Sequence, residues 1–561
     1  MTGDANTAVC SESDQSRSLS NDSSASMRVG ALLLLVMFVG LLLRLHCLTT
    51  VHSWFDESLG WRMAQFPPAE IVERSERNVH PPMHFLLLSG WSRVFGGSLA
   101  SLRFYSLFWG MGTILGGFFL AAAAMNRSCM QFASPSPHRE PPPATTGWAI
   151  ALVDGQQALA GLLAALLIAL SSLHIDWSQQ VKMYTLGTCL TIWSTWLLLR
   201  WFQCGGAWRL IGYVPLAAAL SLQHHYGTFT VFAQLTFALL WSARRSGQGI
   251  RKGDFTSILV TTWATSALWS MWLPSFLVQR SLVKNSYWIG AFDWHRVVDV
   301  WSGLFLAKTS VHVSSVGSAA IAQFVLMSVL LLLVHRQAGA RLMGWLVLVP
   351  YAIAVGWSIW DQNVMASRFL INAHACLLTG LAILVASIPA TSLRYGTAIV
   401  LAIGVGITGC QQRVQRTKDA EMPGMPLVIS TLREAKSAEE RVLVCNPMLY
   451  LNACVYGEGL EDIYAFDPGQ SFPHFQGTPV MKAEEYCSLT DLDAATGDWV
   501  WTLDAEQWLG GTWKVQLPRE WRLQEERRIR EWYATLVIRA YRRESAIVQV
   551  NSQATGKGRE E

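Results

Sequence analysis

The sequence predicts an α-helical polytopic membrane protein carrying a small α/β domain at its C-terminal end. Three observations lead there. Of 561 residues, 51% are apolar and only 15% charged, and the mean hydropathy is +0.28, too greasy a balance for a soluble chain of this length. The apolar residues fall in blocks of about 18 to 22, the length that crosses a hydrocarbon core roughly 30 Å thick. After residue 411 the blocks stop and short strand-like runs replace them.

Each element can be justified in turn. Residues 1–26 are rich in Ser, Asp and Asn and nearly free of apolar side chains, so a disordered cytoplasmic tail is expected. Arg28 precedes the apolar run Val29 to Leu48, and a basic flank ahead of a full span faces the cytoplasm. The chain then emerges on the outer face with Trp54-Phe55-Asp56-Glu57. Within the outer loop 49–102, Leu59 to Phe66 and Met83 to Phe95 are short and interrupted by charge, which predicts amphipathic helices lying in the interface. Further spans are expected at 104–125, 158–173, a stretch ending at Arg200, 209–224, 227–243, 255–277, 313–334, 342–359, 369–387 and 396–411, about eleven in all.

The basic residues agree with that register. Arg28, Arg127 with Arg139, Arg200 with Arg209, Arg244 to Lys252, Arg336 with Arg341, and Arg394 then share one face. Counting Met83 to Phe95 as a span would invert it. An odd number of spans places residues 412–561 outside. The expected domains are a tail over 1–26, a transmembrane domain over 27–411, and an extracytoplasmic α/β accessory domain over 412–561. In the last, Arg441 to Cys445, Trp499 to Leu503, Trp521 to Gln524 and Ala534 to Tyr541 read as strands, and Leu449 to Tyr456 as a helix. Its Cys445, Cys454 and Cys487 offer one disulfide in an oxidising compartment. The ten cysteines show no metal-type spacing, and a net charge of +4, dispersed along the chain, gives no reason to expect nucleic acid.

Charges near hydrocarbon cost roughly 2.5 to 3.5 kcal/mol even on insertion scales, so those at span ends call for a reason. Asp56 and Glu57 follow the first span, and His80-Pro81-Pro82 follows them. Asp176 and Lys182 open the second outer loop. Arg103, Lys182 and Arg368 lie at outer ends of spans, against the positive-inside tendency.

Trp54-Phe55-Asp56-Glu57, then His80-Pro81-Pro82-Met-His-Phe-Leu, then Leu102-Arg103-Phe104 together resemble the dolichyl-phosphate-mannose protein mannosyltransferase family. The wider likeness is to the GT-C superfamily of integral-membrane glycosyltransferases, whose bacterial members use undecaprenyl-phosphate sugars. Ser171 to Tyr184 and Ser367-Arg368-Phe369-Leu370 extend the resemblance, which covers about residues 29–390. It implies a GT-C-like fold and an inverting transfer of sugar from a polyprenyl-phosphate donor to an acceptor hydroxyl on the outer face of the cell membrane.

The same resemblance assigns roles. Asp56 becomes the general base that takes the acceptor's proton, with Glu57 supporting it. Arg368, Arg103 and Lys182 would hold the donor phosphate, since a leaving anion needs fixed positive partners. His80, Asp176, Tyr184 and His225 would contact substrate. One departure stands out: this chain has Gln179-Gln180-Val181-Lys182 where the family often carries Gln-Glu-Ala-Arg, leaving Asp176, one helical turn earlier, to stand in for the acid.

Partners would be the lipid-linked sugar, an acceptor glycan, lipid or protein, and membrane lipids. No cofactor is expected. Neither is a metal, although some GT-C enzymes use a divalent one, because adjacent His224 and His225 would diverge by about 100° on a helix. The competing class is a transporter or flippase of lipid-linked glycans without transferase activity. Transporters carry broken helices and midplane charges, whereas here the ionisable residues gather at span ends.

Overall fold

The computed structural model describes residues 7–126, 155–247, 253–306, 314–458, 460–493 and 497–544. Arg127, His138, Arg139, the Pro-rich stretch 134–143, Arg251 and Lys252 lie outside the described residues. The chain is mainly helical: α1 (Thr7–Leu45), α2 (Phe55–Met63), α3 (Pro68–Glu76), α4 (Met83–Phe95), α5 (Leu99–Ala124), α6 (Gly155–Leu170), α7 (Ser172–Ser178), α8 (Tyr184–Cys204), α9 (Ala207–Gln223) and α10 (His225–Gly247). Then follow α11 (Gly253–Ser270), α12 (Leu273–Asn285), α13 (Trp294–Leu306), α14 (Ser315–Leu333), α15 (Ala338–Trp360), a 3-10 turn (Ser367–Leu370), α16 (Ile371–Ala386), α17 (Thr391–Ala420), α18 (Gly424–Ala435), α19 (Pro447–Tyr456) and α20 (Leu489–Asp493).

Every expected span overlaps helix, but 255–277 is divided between α11 and α12 and 158–173 between α6 and α7. Six stretches among the described residues are long and apolar enough to cross a membrane, and a seventh if the α6–α7 pair is one bent span. The chain is thus a multi-pass membrane protein, with fewer clear spans than the eleven expected. α8 to α11 fall short of that measure because they are shorter or more polar, with Thr185, Thr188, Thr191 and Thr195 in α8 and Gln234 in α10. α1 also starts at Thr7, inside the stretch expected to be disordered, since an established helix extends at low cost.

Two compact units divide the chain. The first, residues 1–46, 104–274 and 289–413, is the helical bundle. α16 packs against α6, α8 and α15 and is buried almost throughout. Leu34 and Phe38 of α1 and Ile399 and Val400 of α17 are exposed, the arrangement hydrocarbon selects. Between α6 and α7 the chain bends by 61° at Ser171. That bend frees the last carbonyls of α6, and Arg44 of α1 caps them, donating to Ile168 O at 3.1 Å and Ala169 O at 3.0 Å. A third bond, to Ser178 Oγ at 3.1 Å, ties the same guanidinium to α7. α17 crosses the bend so closely that a Cβ on Gly409 would stand 2.2 Å from Leu170 O.

The second unit comprises residues 47–103, 275–288 and 414–561. Its sheet runs β3 (Tyr486–Cys487), β2 (Ile463–Phe466), β1 (Arg441–Val444), β4 (Trp499–Trp508), β7 (Thr535–Arg543), β6 (Trp521–Arg530), with β5 (Gly511–Trp513) on β4. The first four strands are parallel and the rest antiparallel. α19 starts where Asn446 accepts from Leu449 N–H at 2.9 Å and Pro447 fills the first turn.

Three expectations are corrected here. The chain passes between the two units at 413/414, next to the expected boundary, but residues 47–103 and 275–288, expected in the transmembrane domain, belong with the C-terminal sheet. Leu59 to Phe66 is no interfacial helix: Leu59, Met63 and Phe66 join Met448, Leu449 and Phe466 in one apolar core. α4 is amphipathic, burying Phe85 and Leu88 while exposing Val94 and Phe95. Finally, Cys445, Cys454 and Cys487 are free thiols. Cys487 lies two strands from the β1 end that bears Cys445, roughly 10 Å at sheet spacing and beyond disulfide reach.

The close crossing at Gly409 is testable. Gly409→Ala should cost about 1–3 kcal/mol by overpacking, while Gly404→Ala on the same helix, with open space around it, should gain about 0.5–1 kcal/mol. Thermal unfolding of the detergent-purified variants measures both.

Candidate functional site

The site begins with backbone polarity. Trp54 ends the extended segment before α2, and its carbonyl accepts from Glu57 and Ser58 N–H at 3.0 Å each. Asp56 and Glu57 therefore sit in the first turn, where the helix dipole favours carboxylates. About 100° apart around the axis, they have different surroundings. Glu57 is buried, and Arg103 at the start of α5 grips it with two bonds, Nε to Oε1 at 2.8 Å and Nη2 to Oε2 at 2.7 Å. The remaining Arg103 nitrogen donates to Leu48 O at 2.7 Å and Val51 O at 2.8 Å. Asp56 is half-buried beside it.

His80 is half-buried in the turn between α3 and α4, and Gln279 of α12 donates to its carbonyl at 3.3 Å. Pro82 caps α4, as the His80-Pro81-Pro82 motif implies.

In the bundle, the α7–α8 turn, the α9–α10 junction and the 3-10 turn before α16 supply a second group of predicted residues. His224 is its centre. Extended backbone there (φ −163°, ψ 141°) separates α9 from α10. Tyr226 N–H donates to His224 Nδ1 at 3.1 Å, which leaves the proton of the neutral ring on Nε2. Tyr184, Tyr226 and Phe369 surround the imidazole with ring centroids 5.9, 5.8 and 5.1 Å away. Trp177 backs Tyr184 at 4.3 Å. Lys182, buried in the turn ahead of Tyr184, and Arg368 and His225 all stand within electrostatic reach of His224. The Arg368 guanidinium lies 5.5 Å from the Phe369 ring centre. Cations on aromatic walls in a water-poor place suit an anionic headgroup.

Asp176 is buried on α7, where Gln412 of α17 donates to it at 2.7 Å. Deeper in the bundle, His374 Nδ1 and His174 Nε2 lie 3.2 Å apart in a stacked pair. Among the described residues, no three His, Cys, Asp or Glu side chains cluster as metal ligands.

Solved structures share the fold. The chain is similar to ArnT from Cupriavidus metallidurans in the apo state, with a TM-score of 0.55, 12% identity, and coverage of 92% of this chain and 98% of that one. Its likeness to the same protein bound to undecaprenyl phosphate has a TM-score of 0.51 at the same identity and coverage. The chain has a GT-C fold. No protein-family model and no curated protein matches it.

Within this GT-C fold the predicted residues divide by unit. Asp56, Glu57, His80 and Arg103 belong to one, and Asp176, Lys182, Tyr184, His225 and Arg368 to the other. Lys182, Tyr184, His225 and Arg368 come together. Arg103 is engaged by Glu57 and two carbonyls, so in this structure it serves the loop that carries Asp56. In the sequence, His224-His225-Tyr226 is noted as a pair of histidines unsuited to one metal ion, and Phe369 only as part of the Ser367-Arg368-Phe369-Leu370 motif; the rings of His224, Tyr226 and Phe369 prove to stand together. The helical path breaks at His224.

Because the Glu57–Arg103 pair is buried, removing one partner strands the other. Glu57→Gln should destabilise the protein by about 3–5 kcal/mol, and adding Arg103→Met should recover most of that. Denaturant or thermal unfolding of the single and double variants checks the pair.

Proposed function

We propose that this protein is an inverting glycosyltransferase that moves a sugar from a polyprenyl-phosphate donor to an acceptor hydroxyl on the outer face of the cell membrane. In this reading the N-terminus is cytoplasmic and the sheet unit extracytoplasmic. The observation that supports it is the aromatic enclosure of His224 by Tyr184, Tyr226 and Phe369, with the Arg368 guanidinium 5.5 Å from the Phe369 ring centre and Lys182 buried in the turn before Tyr184, on a GT-C fold shared with a protein solved with undecaprenyl phosphate.

The chemistry is a single displacement. The acceptor oxygen forms a bond to the anomeric carbon while the bond from that carbon to the phosphate oxygen breaks. The acceptor's proton passes to the Asp56 carboxylate, and the polyprenyl phosphate leaves with the electron pair. Arg368 and Lys182 stabilise the charge gathering on that phosphate, Arg368 through its planar fork and Lys182 as a point charge. Glu57 is bound to Arg103 and holds the first turn of α2, and Asp56, beside it in the same turn, is the carboxylate assigned to proton transfer.

Two substitutions test the roles. Asp56→Asn should lower turnover by roughly 10²- to 10⁴-fold while leaving donor binding intact, measured with a radiolabelled polyprenyl-phosphate sugar in nanodiscs. Transfer at the wild-type rate would remove the base assignment. Arg368→Met should lower turnover about 10²- to 10³-fold and weaken capture of undecaprenyl phosphate itself, measured by direct binding.

A further inference from the structure

The same unit that carries Asp56 contains a polar network built from chain segments about four hundred residues apart. Asn452 of α19 is 1% exposed. Its Oδ1 accepts from Ser53 Oγ at 2.5 Å and from Ser58 Oγ at 3.1 Å, while its Nδ2 donates to the Tyr533 hydroxyl. Tyr456, one turn further along α19, accepts the backbone N–H of Ser53 at 2.6 Å. Trp532 donates to His52 O at 3.2 Å, and Glu531 lies 3.3 Å from His52 Nδ1. Glu531 also accepts from Met425 N–H at 3.0 Å, beside Gly424, where a Cβ would stand 2.1 Å from its carboxylate.

Ser53 and Ser58 bracket Asp56, one before α2 and one in its first turn. A single amide oxygen therefore pins both flanks of the proposed base. Apolar contacts through Leu59 and Met63 hold α2 down but allow it to slide; directional hydrogen bonds fix its position along and around its axis. Burial raises the Tyr533 phenol well above its usual range and raises Tyr456 too, so both keep their protons. We infer that Asn452, assisted by Tyr456, is a positioning residue that sets Asp56 in place, making the C-terminal sheet domain part of the catalytic apparatus. This rests on the reading of Asp56 as the base.

Three variants of the full-length protein in nanodiscs test it: Asn452→Leu, which removes every bond of the amide, Ser53→Ala with Ser58→Ala, which removes its two donors, and Asn452→Asp, which keeps the acceptor. Hydrogen–deuterium exchange over residues 53–63 and steady-state kinetics are read together. The first two should raise exchange in the first turn of α2 by on the order of tenfold. They should lower kcat roughly 10- to 100-fold with donor KM within about twofold. Asn452→Asp should restore both to within about threefold. Unchanged exchange in the first two variants overturns the inference, as does raised exchange with undiminished kcat, which a merely structural contact would give. Full turnover by Asp56→Asn overturns the base assignment instead, and the exchange result stands apart from it.

Discussion

Glu57 and Arg103 are both out of water, and neither could be so alone. Bringing each ion out of solvent costs several kcal/mol, offset only by good geometry and further hydrogen bonds. Both conditions hold: two parallel bonds join fork to carboxylate, and the third nitrogen closes on the Leu48 and Val51 carbonyls. The pair therefore ties the end of the first span, the start of α2 and the start of α5 to one point. Asp56 gains its character from this arrangement. With its neighbour locked inward, the helical turn directs Asp56 to another side.

The two units use polar groups differently. In the sheet unit, buried polar side chains hold a loop in place through bonds that cross the sequence. In the bundle, Arg44 repairs a helix break, and the break lets α7 and the turn after it present Asp176 and Lys182. The enclosure around His224 is built largely from rings, so charges there meet little competing water. Precision is assigned to one unit and electrostatic strength to the other.

Much of this was legible in the sequence, and the exceptions have physical causes. Spans could be read because hydropathy is a local property, and β1, β4 and β7 because they are rich in β-branched or aromatic residues, whereas of the largely charged β6 only the start at Trp521 was read. β3 and β5 escaped notice, being two and three residues long, and β2 was not read although it matches β1 in length. Leu59 to Phe66 looked interfacial because its apolar face was visible and its partner, α19, was not. Lys182, Tyr184, His225 and Arg368 were singled out through motifs, and Tyr184 and Arg368 both stand beside Phe369. Arg103 was read as a donor-phosphate ligand because its carboxylate partner lies 46 residues away, and no periodicity reports such a pairing. Asn452 gave no sign at all.

The separation between the outer loop and the sheet also sets an order of events in biogenesis. Ser53 finds its partners at Asn452 and Tyr456, 399 and 403 residues later. At synthesis rates of about 5–20 residues per second, the loop waits roughly 20–80 seconds for them. During that interval the bundle helices can insert, but the loop bearing the carboxylates has no core to join. The transferase chemistry proposed here is therefore withheld from the nascent chain, and a ribosome that stalls before α19 leaves an inserted but inert protein.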